Sequence, residues 1–98
     1  MTEFLGIKKS DNPDKKYVAE FKRDGHLLHT HFGQAGATDY TRDSALTREA
    51  RKQRYLTRHR SSENWEDPTS AGALSRWILW NKPSVAASLS DYRRRFGF

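Results

Sequence analysis

The chain contains no cysteine, which excludes both a disulfide framework and a thiolate metal site. It has no apolar run long enough to span a bilayer. The opening MTEFLGIKKS has neither the basic lead nor the apolar stretch of a secretory leader, so an intracellular, non-membrane location is expected. Acids are outnumbered, 12 Asp/Glu against 18 Lys/Arg, for a formal net charge of +6. Such a balance favours a polyanionic partner such as DNA or RNA. Hydrophobic residues are scarce at 35%, below the usual globular share. With 98 residues the chain has room for one domain, residues 1–98, and one modest core. What the chain does have is aromatic side chains, 12 in all including three Trp, so a small core can still be dense.

Two halves of different texture follow. Residues 15–32, KKYVAEFKRDGHLLHTHF, contain Asp24-Gly25, a dipeptide suited to a two-residue hairpin turn with positive φ. That turn sets Arg23 opposite His26 and fixes the register onward: Phe21 opposite Leu28, Ala19 opposite Thr30, Tyr17 opposite Phe32. The other side of the ribbon then carries Val18 with His31, Glu20 with His29 and Lys22 with Leu27. One apolar and one mostly polar face predict a sheet packed on helices. EFLGIKK adds a third strand, and the glycine-rich stretch after Phe32 reads as a turn.

Beyond residue 43 the pattern is helical. Asp43 or Ser44 is a cap for a helix running to about His59, with Leu46, Ala50, Gln53 and Thr57 on a thin inner face. Asp67 and Pro68 mark the start of a second helix, TSAGALSRWILWN, apolar nearly all round with Arg76 its only charge. Ser84 caps a third, whose Val85, Leu89, Tyr92 and Phe96 form one stripe facing the hairpin. The fold class is therefore α+β: a small N-terminal antiparallel sheet packed on about three C-terminal helices.

Four groups of residues invite a functional reading. Arg48, Arg51, Lys52, Arg54, Tyr55 and Arg58 share one arc of the first helix, and Arg60 follows it. Glu49 is the only acid from Arg48 to Arg60, so opposite-charge pairing along the helix cannot neutralise the run. Arginine forks suit phosphate oxygens, and Tyr55 could stack on a base; the competing interpretation is a solvated helix face. Trp65, Arg76, Leu79 and Trp80 suggest core with part left over for a protein partner, where Trp is enriched. On an ideal wheel Leu79 lies opposite Trp77 and is the position expected at such an interface. His29, His31 and His59, with acids at Glu20, Asp39 and Glu63, could form a metal or general-base cluster, but no third ligand is fixed by spacing. Pairing of His29 with Glu20 across the ribbon is preferred. Gly33 and Gly36 could offer amides to a phosphate, yet GQAG lacks the lysine and Ser/Thr of a P-loop. No catalytic residue, metal or cofactor is nominated.

Six segments carry a resemblance: HFG (31–33), DYT (39–41), RYLTRH (54–59), ENW (63–65), AGALSRWILW (71–80) and YRRRF (92–96). Together they resemble a family of small proteins of unassigned function encoded by large DNA viruses and some bacteriophages. The resemblance implies a viral protein in the host cytoplasm or nucleus, or packaged in the virion. Phe32-Gly33-Gln34-Ala35-Gly36 is also similar to the Trp-Gly-Arg-x-Gly strand end of the WGR domain, a nucleic-acid-binding module, without its arginine. The expected function is a basic viral accessory protein that binds nucleic acid through the arginine-rich helix with little sequence preference. The alternative is a structural or adaptor protein that binds a viral or host protein through the Trp-rich helix. A small nuclease ranks last.

Overall fold

The structure, a computed structural model, describes all 98 residues. Its first organising feature is the turn at Asp24 (φ 53°) and Gly25 (φ 82°), both in the left-handed region that matches the twist of paired strands. It joins β2 (Lys15–Arg23) to β3 (His26–Gln34). The register is the one the sequence predicts, from Arg23 opposite His26 to Tyr17 opposite Phe32. β1 (Thr2–Lys9) is antiparallel to β2 on its other side, giving the order β1-β2-β3.

β1 carries a bulge between Phe4 and Gly6. Phe4 and Ile7 are three residues apart and would face opposite sides of a regular strand. The extra residue resets the parity, so Phe4 pairs with Phe21 and Ile7 with Ala19. Both then join the core.

The helices begin later than the sequence suggests. α1 spans Arg48–His59, with Thr47 at its cap position. Asp43 instead closes a separate turn, its Oδ1 accepting from Ser44 N and Thr47 Oγ1 at 2.8 and 2.7 Å. α2 spans Ala71–Leu74 and is capped by Ser70, whose hydroxyl accepts from Ala73 N. Asp67 turns the chain just ahead of it by accepting from Thr69 N. α2 continues into a π-helical stretch, Ser75–Leu79, ending in a Trp80 N–H bond to Ser75 O at 3.1 Å. α3 spans Val85–Phe96; Ser84 caps it as expected, accepting from Ala87 N.

The π turn changes which side chains face inward. It accommodates an extra residue per turn, so positions after Ser75 rotate away from their ideal-wheel places. Leu74, Ile78 and Leu79 are all buried, Leu79 at 2% exposure. The interface position predicted for Leu79 is thus corrected: it is core, with its Cδ1 lodged against Gly33 where an added Cβ would sit 2.8 Å away.

The core joins Phe4, Ala19, Phe21 and Phe32 of the sheet to Leu74, Ile78, Leu79 and Tyr92. The expected direct packing of the hairpin on α3 is only partly realised. The segment 71–79 is apolar on most sides and takes the middle, with the sheet on one flank and α3 on another. α3 reaches the sheet chiefly through Tyr92, whose ring centroid lies 5.0 Å from that of Phe4. The Tyr92 hydroxyl donates to Pro68 O at 2.7 Å, which satisfies its polar tip inside the core.

α3 is tied back by Asp91. Its Oδ2 accepts from Asn81 Nδ2 at 2.7 Å, and Arg94 lies 3.0 Å from Oδ1. The Asn81 bond, helped by Arg94 and Arg95, holds this carboxyl below the usual aspartate range.

Two outcomes follow from this packing. Phe21→Ala empties a fully buried ring site and should cost ~3–5 kcal/mol in denaturant unfolding. Because the folded Asp91 pKa is depressed, its contribution is present above pH ~4 and lost as pH falls through the folded value. Asp91→Asn should therefore flatten the acid limb of a melting-temperature-against-pH profile while leaving its neutral-to-basic shape unchanged.

Candidate nucleic-acid interface

The link between sheet and helices positions the basic face. Asp39 is 1% exposed and Lys16 9%, and their side chains form a buried ion pair. The other Asp39 oxygen accepts from Thr41 N at 2.8 Å and from the Thr41 hydroxyl. Tyr40 N donates to Leu79 O at 2.9 Å. The chain from 39 to 41 is thereby fastened to β2 and to the π-helical stretch at once, and α1 hangs from this junction.

α1 turns inward a face other than the one expected. Leu46, at 95% exposure, lies outside the core, and Ala50, Gln53 and Thr57 are exposed. The buried side chains are Tyr55 and Leu56. The Tyr55 ring stacks on Trp80 with centroids 4.7 Å apart and on His59 at 4.5 Å. Burying that aromatic area outweighs burying Ala, Gln and Thr. Tyr55 is thus corrected from nucleic-acid contact to packing residue; burial, followed by the charge of Glu63, pushes its phenol pKa up.

The predicted cationic arc divides in two. Arg48 and Lys52 lie over the Tyr40 ring, 5.4 and 4.9 Å from its centroid. Lys52 Nζ also donates to Asn81 O at 3.3 Å, and desolvation lowers its pKa. These two are half-buried and serve the α1 anchor. Arg51, Arg54, Arg58 and Arg60 are exposed. Arg51 Nε lies 2.9 Å from Asp43 Oδ2, so it also bears on the turn preceding the helix. Arg54, Arg58 and Arg60 make no ion pair or ring contact.

Arg51, Arg54 and Arg58 line one groove of about 220 Å³ with Thr38 and Trp80. Sequence reasoning missed Thr38, which the link from β3 brings opposite α1; no local signal marks it. Arg58 and Trp80 also border a larger cleft of about 310 Å³, with Lys15, His59, Glu63 and the Gly33–Gln34 end of β3 in its wall. Gly33 (φ 80°), near the end of β3, and Gly36 (φ 81°), in the turn after it, both take left-handed backbone.

The remaining nominated side chains are dispersed. Arg76 is half-buried, its guanidinium 4.1 Å from the Trp77 ring centre and 5.7 Å from that of Trp65, and it donates to Trp80 O at 2.7 Å. Trp65 accepts through its carbonyl from Trp77 Nε1 at 2.8 Å. These contacts stitch the 60–70 loop to the Trp-rich segment. His29 and His31 border one depression, and His59 lies apart from them. His29 sits 3.1 Å from Glu20, His31 bonds Ser10 at 2.7 Å, and His59 lies 3.0 Å from Glu63. No group of three or more His, Asp or Glu is arranged to hold a metal ion, and no helix is long and apolar enough to cross a membrane.

Comparison with protein-family models, curated proteins and solved structures finds no match for this chain.

Breaking the buried pair on one side strands a charge. Asp39→Ala should cost ~3–5 kcal/mol in urea unfolding. The double variant Lys16→Met/Asp39→Leu should recover part of that loss, because it removes both charges together but still leaves Thr41 N without its acceptor.

Proposed function

We propose that this protein binds nucleic acid through the exposed arginines of α1, contacting phosphates without reading sequence and without catalysing a reaction. The observation that carries this reading is the placement of Arg51, Arg54 and Arg58 around one groove whose lining contains no acid. Arg54 and Arg58, which meet no carboxylate, keep their full capacity for phosphate oxygens, and counterion release makes such contacts favourable.

A second arginine cluster on the same chain supplies the contrast. Arg93 lies over the Phe4 ring at 4.8 Å, Arg95 over Trp77 at 3.7 Å, and Arg94 pairs with Asp91. Those arginines are occupied by the fold; Arg54, Arg58 and Arg60 are not. A role as an adaptor through the Trp-rich segment has less to stand on, since Leu79 is core and Arg76 is engaged by Trp77 and the Trp80 carbonyl. The likeness to small proteins of large DNA viruses fits a polyanionic partner, with a viral genome or transcript as its source.

Engaging ~4 phosphates gives a log–log salt slope of about −3.6 on duplex DNA and about −2.8 on single strands. In fluorescence-anisotropy titrations, Arg54→Ala and Arg58→Ala should each reduce that slope by about 1, weaken all sequences alike and leave the melting temperature unchanged. Arg51→Ala should weaken binding similarly but also lower the melting temperature, because it abandons Asp43. Binding indifferent to salt, or to all three substitutions, would remove the reading.

A further inference from the structure

We propose that Trp80 is a base-stacking platform, so the groove takes a single strand in preference to a duplex. The proposal rests on the nucleic-acid reading above and adds to it the form of strand and the residue that selects it.

Three observations meet at this side chain. Trp80 is half-buried, with one ring face covered by Tyr55, so a base would stack on the opposite face. Trp80 lines the groove with Arg51, Arg54 and Arg58, and also the cleft that Arg58, Lys15 and the His59–Glu63 pair border. Trp80 is therefore shared by an arginine-lined groove and a neighbouring cleft of mixed charge. An aromatic face flanked by cations is the pairing that non-specific single-strand binders use: bases stack while the backbone tracks the charge.

The indole is also held in place before any ligand arrives. The Tyr55 ring lies nearly parallel to it, at 11°, and continues through His59 as a run of three stacked rings. The Trp80 carbonyl is held by Arg76 and its amide by Ser75 O. A base added to this run meets a rigid partner, so little side-chain freedom is lost on binding. In a duplex each base is already stacked on its neighbours, and reaching Trp80 would require unstacking. Charge complementarity selects a nucleic acid over a neutral or basic partner, and the aromatic wall selects an unpaired strand.

The test compares two oligonucleotides with the same number of phosphates, one carrying bases throughout and one abasic along its central residues, in anisotropy titrations at a single salt concentration. The intact strand should bind roughly ten-fold more tightly or better, the gain one stacked base supplies, and more tightly than a duplex of equal phosphate number. Trp80→Phe should keep much of that gain. Trp80→Leu should bind both strands at the abasic level with an unchanged salt slope, its folding checked by melting temperature. Equal binding of intact and abasic strands by the native protein would overturn the stacking role while leaving the phosphate reading in place. That arm needs no variant, so a misfolded Trp80→Leu does not compromise it. Failure of both strands to bind would instead overturn the nucleic-acid reading itself.

Discussion

The buried pair between Lys16 and Asp39 is the constraint on which the rest of the arrangement depends. A lysine on the central strand would normally reach solvent; here it is covered, and only a carboxylate at bonding distance makes that tolerable. Asp39 answers with one oxygen and uses the other to shape the turn at Thr41. With Tyr40 bonded to Leu79 O, a short stretch decides where α1 leaves the sheet. The groove is a consequence: its two sides, Thr38 and the arginines of α1, flank this junction in the chain.

The second determinant is the competition for aromatic surface in a chain with little aliphatic material. Phe4, Phe21, Phe32 and Tyr92 form the centre, and Tyr55 and Trp80 form a satellite stack that fastens α1. Because α1 is held by an aromatic pair, by buried Leu56 and by the contacts of Arg48 and Lys52 with Tyr40, the rest of its circumference has no packing duty. Cations can then crowd the outer face without being recruited into the core. Structure and charge are thus allotted to separate sides of one helix.

Much of the sheet was legible because its signals are local. Asp24-Gly25 fixes a turn, and strict alternation from that turn fixes every pair out to Tyr17 and Phe32. The caps at Ser84 and the apolar stripe of α3 are equally local. What escaped required knowledge of distant partners. A helical wheel puts Leu46, Ala50, Gln53 and Thr57 on the inner face of α1, whereas the fold selects Tyr55 for its fit against Trp80. The wheel puts Leu79 at an interface because it assumes 3.6 residues per turn, which the π stretch violates. Asp43 and Asp67 have the chemistry of helix caps and do bond backbone N–H groups, but in turns ahead of the helices. The arginines were visible as a run; their division into anchored and unpaired members was not, because Tyr40 and Asp43 become neighbours only through the fold.

The central claim is that the unpaired arginines and the Trp80 indole form one surface for a nucleic-acid strand. It is tested most directly by following backbone amide, arginine Nε–H and indole N–H resonances while a short single strand is titrated in. The account predicts that Thr38, Arg54, Arg58 and the Trp80 indole shift together and saturate at one concentration. Signals from Glu20 and His29, on the far face of the sheet, and from Arg93 to Arg95, should stay in place. Shifts confined to that far face or to the end of α3, with the α1 groove silent, would contradict it.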